Sequence, residues 1–120
     1  MRIFIAEADQ DVRVGLQMLL DRQPGLQVVG IATRSDGLVG QVGAAQADVV
    51  LLDWDLIASN QKYFIRNLHS LSSKPSIIVL HVRPETRDAA IAAGADDFSS
   101  KDQPPDQLCM IFQNLIQKKN

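Results

Sequence analysis

Cysteine is almost absent from this 120-residue chain, and Cys109 stands alone. A single cysteine excludes an internal disulfide and any thiolate-rich metal site. It sits in the apolar stretch Leu108-Cys-Met-Ile-Phe112, where it reads as a small packed residue rather than a reactive thiol. No apolar run approaches the length needed to span a membrane. The N-terminus turns strand-like at once and lacks the charged-then-apolar layout of a signal peptide, so the cytoplasm is the expected location. Basic residues do not cluster, and only Lys118 and Lys119 are adjacent. With a net charge of -2, the chain is not expected to bind nucleic acid directly. No run of phosphate-cradling glycines or hydroxyls is present, which argues against a free-standing enzyme such as a flavin protein. Repeats, low-complexity tracts and linkers are also missing. A chain of this length therefore predicts one domain over residues 1–120 with a single core.

What is present is an alternation. The strand candidates are Ile3 to Ala6, Gln27 to Ala32, Val49 to Leu52, Ile77 to Leu80 and Asp97 to Ser99, most of them short apolar runs. Apolar residues at successive positions predict strands buried on both faces, as in a parallel sheet. Between them lie segments of helical period, the pattern of βα units. Val12, Leu16, Leu19 and Leu20 predict a first helix, ended by Pro24-Gly25. Ser35-Asp36 predicts the cap of a second helix through Gln46, with Gly37, Gly40 and Gly43 read either as close helix–sheet packing or as fraying. A third helix carries Tyr63, Phe64, Ile65, Leu68 and Leu71. A fourth starts near Pro84 and stops at Gly94, and Pro104-Pro105 opens a fifth.

An open parallel sheet binds ligands beyond the carboxyl ends of its strands. Glu7 follows the first strand, Asp53 closes the third, and Lys101 follows the fifth. Two acids and an amine gathered there would form a pocket in which Asp53 could take up a phosphoryl group.

These residues resemble the receiver domain of bacterial two-component response regulators, and the resemblance covers the whole chain. Ile5-Ala-Glu-Ala-Asp9 is similar to the acidic first-strand motif, and Val49-Val-Leu-Leu-Asp53 to the phosphoacceptor strand. Gly94-Ala-Asp-Asp-Phe98 with Lys101-Asp102 is similar to the last-strand signature. Val28-Val-Gly30 and Lys101-Asp-Gln-Pro-Pro105 lean towards the members that carry a helix-turn-helix output domain. The resemblance implies an α/β fold: a doubly wound, flavodoxin-like five-stranded parallel sheet of order 2-1-3-4-5. It implies phosphorelay signalling, with Asp53 attacking a phosphohistidine on a sensor histidine kinase or phosphotransfer protein. Mg2+ would be held by Asp53, by Asp55 through its backbone carbonyl, and by an acid of the first-strand pair, with Glu7 acting through water. Lys101 would pair with the phosphoryl oxygens. An output domain or partner protein would read the face of the fourth helix, fifth strand and fifth helix, where a homodimer could also form. The domain itself is not expected to be an enzyme.

Several residues depart from that pattern. Ala8 stands where the direct acidic metal ligand would fall. Glu7, one methylene longer than aspartate, or Asp9 could substitute, although Asp9 also suits the cap of the following helix. The Asp55 side chain is a further donor or a plain loop acid. His81 occupies the position of the Ser or Thr whose hydroxyl triggers the switch. It could donate a hydrogen bond, fill the space beside Ala8, pair with Glu7 or Asp53 and so shut out the metal, or be merely structural. The loop Trp54 to Asn60 lacks the usual proline and glycine, and the stretch from His81 to Gly94 is about two residues short. Phe98 fits either an aromatic switch position or ordinary core. The sequence therefore predicts a pseudo-receiver with weak or absent Mg2+ binding and impaired phosphorylation, acting by protein–protein interaction. The rival expectation is a fully working phospho-acceptor.

Overall fold

The computed structural model describes residues 1–119. Five strands, β1 (Arg2–Ala6), β2 (Gln27–Ala32), β3 (Val49–Asp53), β4 (Ser76–His81) and β5 (Asp97–Ser100), pair in parallel in the order β2-β1-β3-β4-β5. Between and after them run α1 (Gln10–Asp21), α2 (Leu38–Ala45), α3 (Gln61–His69), α4 (Thr86–Ala92) and α5 (Pro105–Lys119). A short 3₁₀ turn, Trp54–Ile57, leads from β3 towards α3. The parallel βα units are those the alternation predicts, and the doubly wound strand order is the one the resemblance implies.

Period-two alternation divides the core between the two faces of the sheet. Phe4, Val50, Leu52, Ile77, Val79 and Phe98 meet Leu38, Val42, Ile65, Leu68 and Ala90 of α2, α3 and α4. Ile3, Ile5, Val49, Leu51, Ile78 and Leu80 meet Leu20, Leu108 and Phe112 of α1 and α5. Central β3 is buried along its whole length, so it carries Asp53 to the carboxyl edge on a stiff support. No helix among the described residues is long and apolar enough to cross a membrane.

Local chemistry moves several predicted boundaries. Ser35-Asp36 does not cap α2: the helix begins at Leu38, and its N-cap is Gly37 at φ +70° with no side-chain hydrogen bond. Asp36 is turned instead to Arg34, 3.0 Å away. The glycines of α2 do not mark helix–sheet packing. A Cβ at Gly43 would lie 3.2 Å from Leu71 beyond α3, and one at Gly40 would face open space. Leu71 itself follows α3, which ends at His69. The fourth helix starts at Thr86, after Pro84 and Glu85 have been used in a turn. Asp9 caps α1, its Oδ1 accepting from the backbone N–H groups of Asp11 and Val12.

Candidate functional site

The carboxyl ends of β1, β3 and β5 bring three of the predicted residues into one pocket. Glu7 is fully buried just beyond β1, where its N–H donates to the Ala32 carbonyl of β2. Asp53 ends β3 and is 4% exposed. Lys101 leaves β5 with its N–H donating to the His81 carbonyl at 2.8 Å, which aims the side chain back across the sheet edge. Its Nζ lies 2.8 Å from Glu7 Oε1 and 3.2 Å from Asp53 Oδ1. One ammonium thus bridges two carboxylates.

The remaining oxygens are partly engaged. Glu7 Oε2 accepts from the Asp9 N–H at 3.1 Å, and Asp53 Oδ1 accepts from the Asp55 N–H at 3.1 Å. The second of these bonds makes Asp53 the N-cap of the 3₁₀ turn and fixes its rotamer. Burial pushes the Glu7 carboxyl above its ordinary range. The Asp53 carboxylate adds to that rise, while the Lys101 ammonium opposes it. Burial also works against the charge of Lys101, but pairing with Glu7 and the charge of Asp53 outweigh it, and the ammonium is held above its usual value.

The ring nitrogens of His81 pair with neither Glu7 nor Asp53. Its Nε2 lies 3.1 Å from Asp55 Oδ1, and its Nδ1 lies 2.8 Å from Thr86 Oγ1 at the first residue of α4. An ionised carboxylate can only accept, so Nε2 carries a proton towards Asp55. In the neutral ring Nδ1 then accepts from the Thr86 hydroxyl. The histidine is therefore a bridge between the loop after Asp53 and the start of α4.

Ala8 is exposed and offers no side-chain oxygen. Asp9 is committed to its capping bonds rather than turned inward. Among the described residues, no three His, Cys, Asp or Glu side chains are grouped as metal ligands. Phe98 is 2% exposed and packed in the core, with the Arg87 guanidinium 5.5 Å from its ring centroid and Arg87 Nη2 donating to its carbonyl.

Two participants escaped the sequence reading. Arg13 donates from Nη1 to the carbonyls of Glu7 (3.1 Å) and Ala8 (3.3 Å), placing a guanidinium on the turn after β1. The only sequence signal is its place one turn into α1, four residues after the cap Asp9. Thr86 became visible only with the geometry of His81.

The sequence family of response regulator receiver domains matches residues 3–113. The chain belongs to this family. It is 28% identical over 117 residues to the transcriptional regulatory protein DesR of Bacillus subtilis, covering 98% of this chain and 59% of DesR. It is 36% identical over 101 residues to the KDP operon transcriptional regulatory protein KdpE of Escherichia coli, covering 82% of this chain and 44% of KdpE. This receiver thus spans about half the length of these relatives. Among solved structures, the isolated receiver domain of RcsB from Salmonella enterica serovar Typhimurium superposes with a TM-score of 0.84 at 21% identity. That match covers 98% of this chain and 88% of the other. At that identity the likeness speaks for the fold, and the strand order agrees with the doubly wound expectation.

Proposed function

We propose that this receiver acts chiefly as a protein-interaction module of two-component signalling, with phosphorylation at Asp53 impaired. The observation that carries the reading is the Lys101 ammonium held between Glu7 and Asp53, beside an Ala8 that supplies no oxygen. Receiver domains generally bind Mg2+ at their acidic site, a hard cation that needs several oxygen ligands in near-octahedral geometry. The donors of this chain fit such an ion poorly. Both Glu7 oxygens are engaged, Asp53 Oδ1 is shared between Lys101 and the Asp55 N–H, and Asp55 Oδ1 faces His81. Weak Mg2+ binding is the reading these contacts favour.

The chemistry left to the chain follows from its own groups. An Asp53 oxygen would bond to phosphorus as the donor's bond to phosphorus breaks. Lys101 would have to divide its three N–H donors between Glu7, Asp53 and the phosphoryl oxygens, which weakens its neutralising effect on any one of them. Neutralising charge supplies most of the catalysis in such transfers, so uptake should be slow. At the same time, the His81 bridge ties α4 to the Asp53 loop with no phosphoryl group present. That suits a constitutive surface better than a switched one. The partner would be an output domain or separate protein reading α4, β5 and α5, with a homodimer on that face as another use. The names of the relatives support transcriptional output. We assign residues 1–120 to one domain acting in the cytoplasm.

A working phospho-acceptor is the second reading, favoured by the 3.2 Å approach of Lys101 to Asp53. Its donor would be a sensor histidine kinase or phosphotransfer protein. Intact-mass measurement after incubation with a small acyl phosphate and Mg2+ separates the two. Slow, substoichiometric uptake that Asp53→Asn abolishes fits the proposal. Rapid and complete conversion establishes the working receiver instead.

A further inference from the structure

A groove of about 740 Å³ runs between α3 and the end of α4, and no residue of the Asp53 pocket lines it. Its floor is Ile65 with Ala92, Ala93 and Gly94. Gly94 is at φ +111°, and a Cβ there would come within 3.2 Å of Ile65 Cγ2. The two elements therefore approach closely, and no side chain stands on the floor at that point.

Along the α3 lip, Lys62, Arg66 and His69 recur at the spacing of one helical stripe, with Tyr63 beside them at 56% exposure. His69 is already engaged: its Nε2 lies 2.8 Å from Asp96 Oδ2, which also accepts from the Ile77 N–H at 2.7 Å. Lys62 and Arg66 are different. Both are exposed, and among the described residues neither belongs to an ion pair. Two uncompensated cations thus border a small-residue floor on a chain whose net charge is -2.

We propose that this groove docks an acidic segment of a partner protein. Such a segment would set two carboxylates, one helical turn apart, against Lys62 and Arg66, and an aliphatic side chain against Ile65 and Gly94. Nucleic acid is the poorer occupant. Two cations neutralise only about two phosphates, too few for useful affinity at physiological salt. The proposal reaches beyond the Asp53 reading, because it holds whether or not Asp53 accepts a phosphoryl group.

The test uses the full chain and a short amphipathic peptide bearing two Glu four residues apart with a Leu between them. A Lys-for-Glu counterpart and a single-stranded oligonucleotide serve as competing probes. The acidic peptide should shift the backbone amide resonances of Lys62 to Ser70 and Ala92 to Gly94. Lys62→Glu with Arg66→Glu should weaken it roughly ten-fold and transfer binding to the Lys-bearing peptide. Lys62→Ala with Arg66→Ala gives the same direction of change should charge reversal unfold α3. The proposal fails if the shifts fall elsewhere, if affinity ignores these substitutions, or if the oligonucleotide binds the groove as tightly. It fails equally if the chain itself fills the groove, seen as concentration-dependent self-association lost on charge reversal.

Discussion

His81 Nε2 lies 3.1 Å from Asp55 Oδ1, linking the last residue of β4 to the loop that follows Asp53. The other ring nitrogen meets Thr86, so one buried side chain ties the loop after Asp53 to the start of α4. Replacing it with His81→Thr should shorten the reach and break both contacts. Two hydrogen bonds, one to a charged group, suggest a loss of about 1–3 kcal/mol, read by urea denaturation. In combination with Ala8→Asp the variant should gain phosphorylation and a phosphate-dependent change in self-association. Unchanged stability together with unchanged phosphorylation would reduce His81 to space filling.

Glu7 gives a pH signature. Its folded-state pKa is raised from an ordinary value of 4.5, chiefly by burial and further by Asp53. A carboxyl so raised contributes stability that is fully present below 4.5 and is lost as pH climbs through the folded value. Wild type should therefore lose stability over that interval relative to Glu7→Gln, which has nothing to ionise there. Parallel denaturant midpoints from pH 4 to about 7 decide it. If the difference between the two proteins is flat with pH, Glu7 does not titrate as described.

The contact between Gly30 and Phe4 is a purely structural constraint. A Cβ at Gly30 would lie 2.5 Å from Phe4 Cε2, and Phe4 is 2% exposed and packed in the core. The ladder between β1 and β2 also shifts register between Ile3 and Phe4, which sets the ring against the glycine. Gly30→Ala should destabilise by about 1–3 kcal/mol through overpacking, and Phe4→Leu in the same chain should recover part of it. Thermal unfolding of the wild type and the two variants is sufficient, and an undiminished Gly30→Ala protein would show that the strand or the Phe4 ring can shift to make room.

Much of this architecture can be read from residue order. The apolar runs of β1, β3 and β4 are short and bounded by turn residues, so they read as strands covered on both sides. Their parallel βα connections bring Glu7 and Asp53 to one edge. Lys101 falls at the same edge because it follows the fifth strand. Its role towards the phosphoryl oxygens came only from the resemblance, since a lysine after a four-residue strand carries no periodic signal. Contacts that depend on helix orientation were out of reach. Arg13 finds the Glu7 and Ala8 carbonyls only because Asp9 fixes the start of α1, and His81 finds Asp55 only because Asp53 caps a 3₁₀ turn. The start of α2 was misplaced because Ser35 and Asp36 have capping chemistry but Gly37 takes the positive φ that the turn requires.

The pocket's charge balance is the centre of the account, and magnesium titration tests it most directly. Trp54 adjoins Asp53 and is the sole tryptophan, so its emission reports events at the site. With Lys101 bridging Glu7 and Asp53, wild type should not saturate at submillimolar Mg2+. Ala8→Asp, by restoring an oxygen donor, should tighten binding at least ten-fold. Submillimolar saturation of the wild type, with no gain from Ala8→Asp, would contradict the claim that the Lys101 bridge and the missing oxygen at Ala8 leave Mg2+ weakly held.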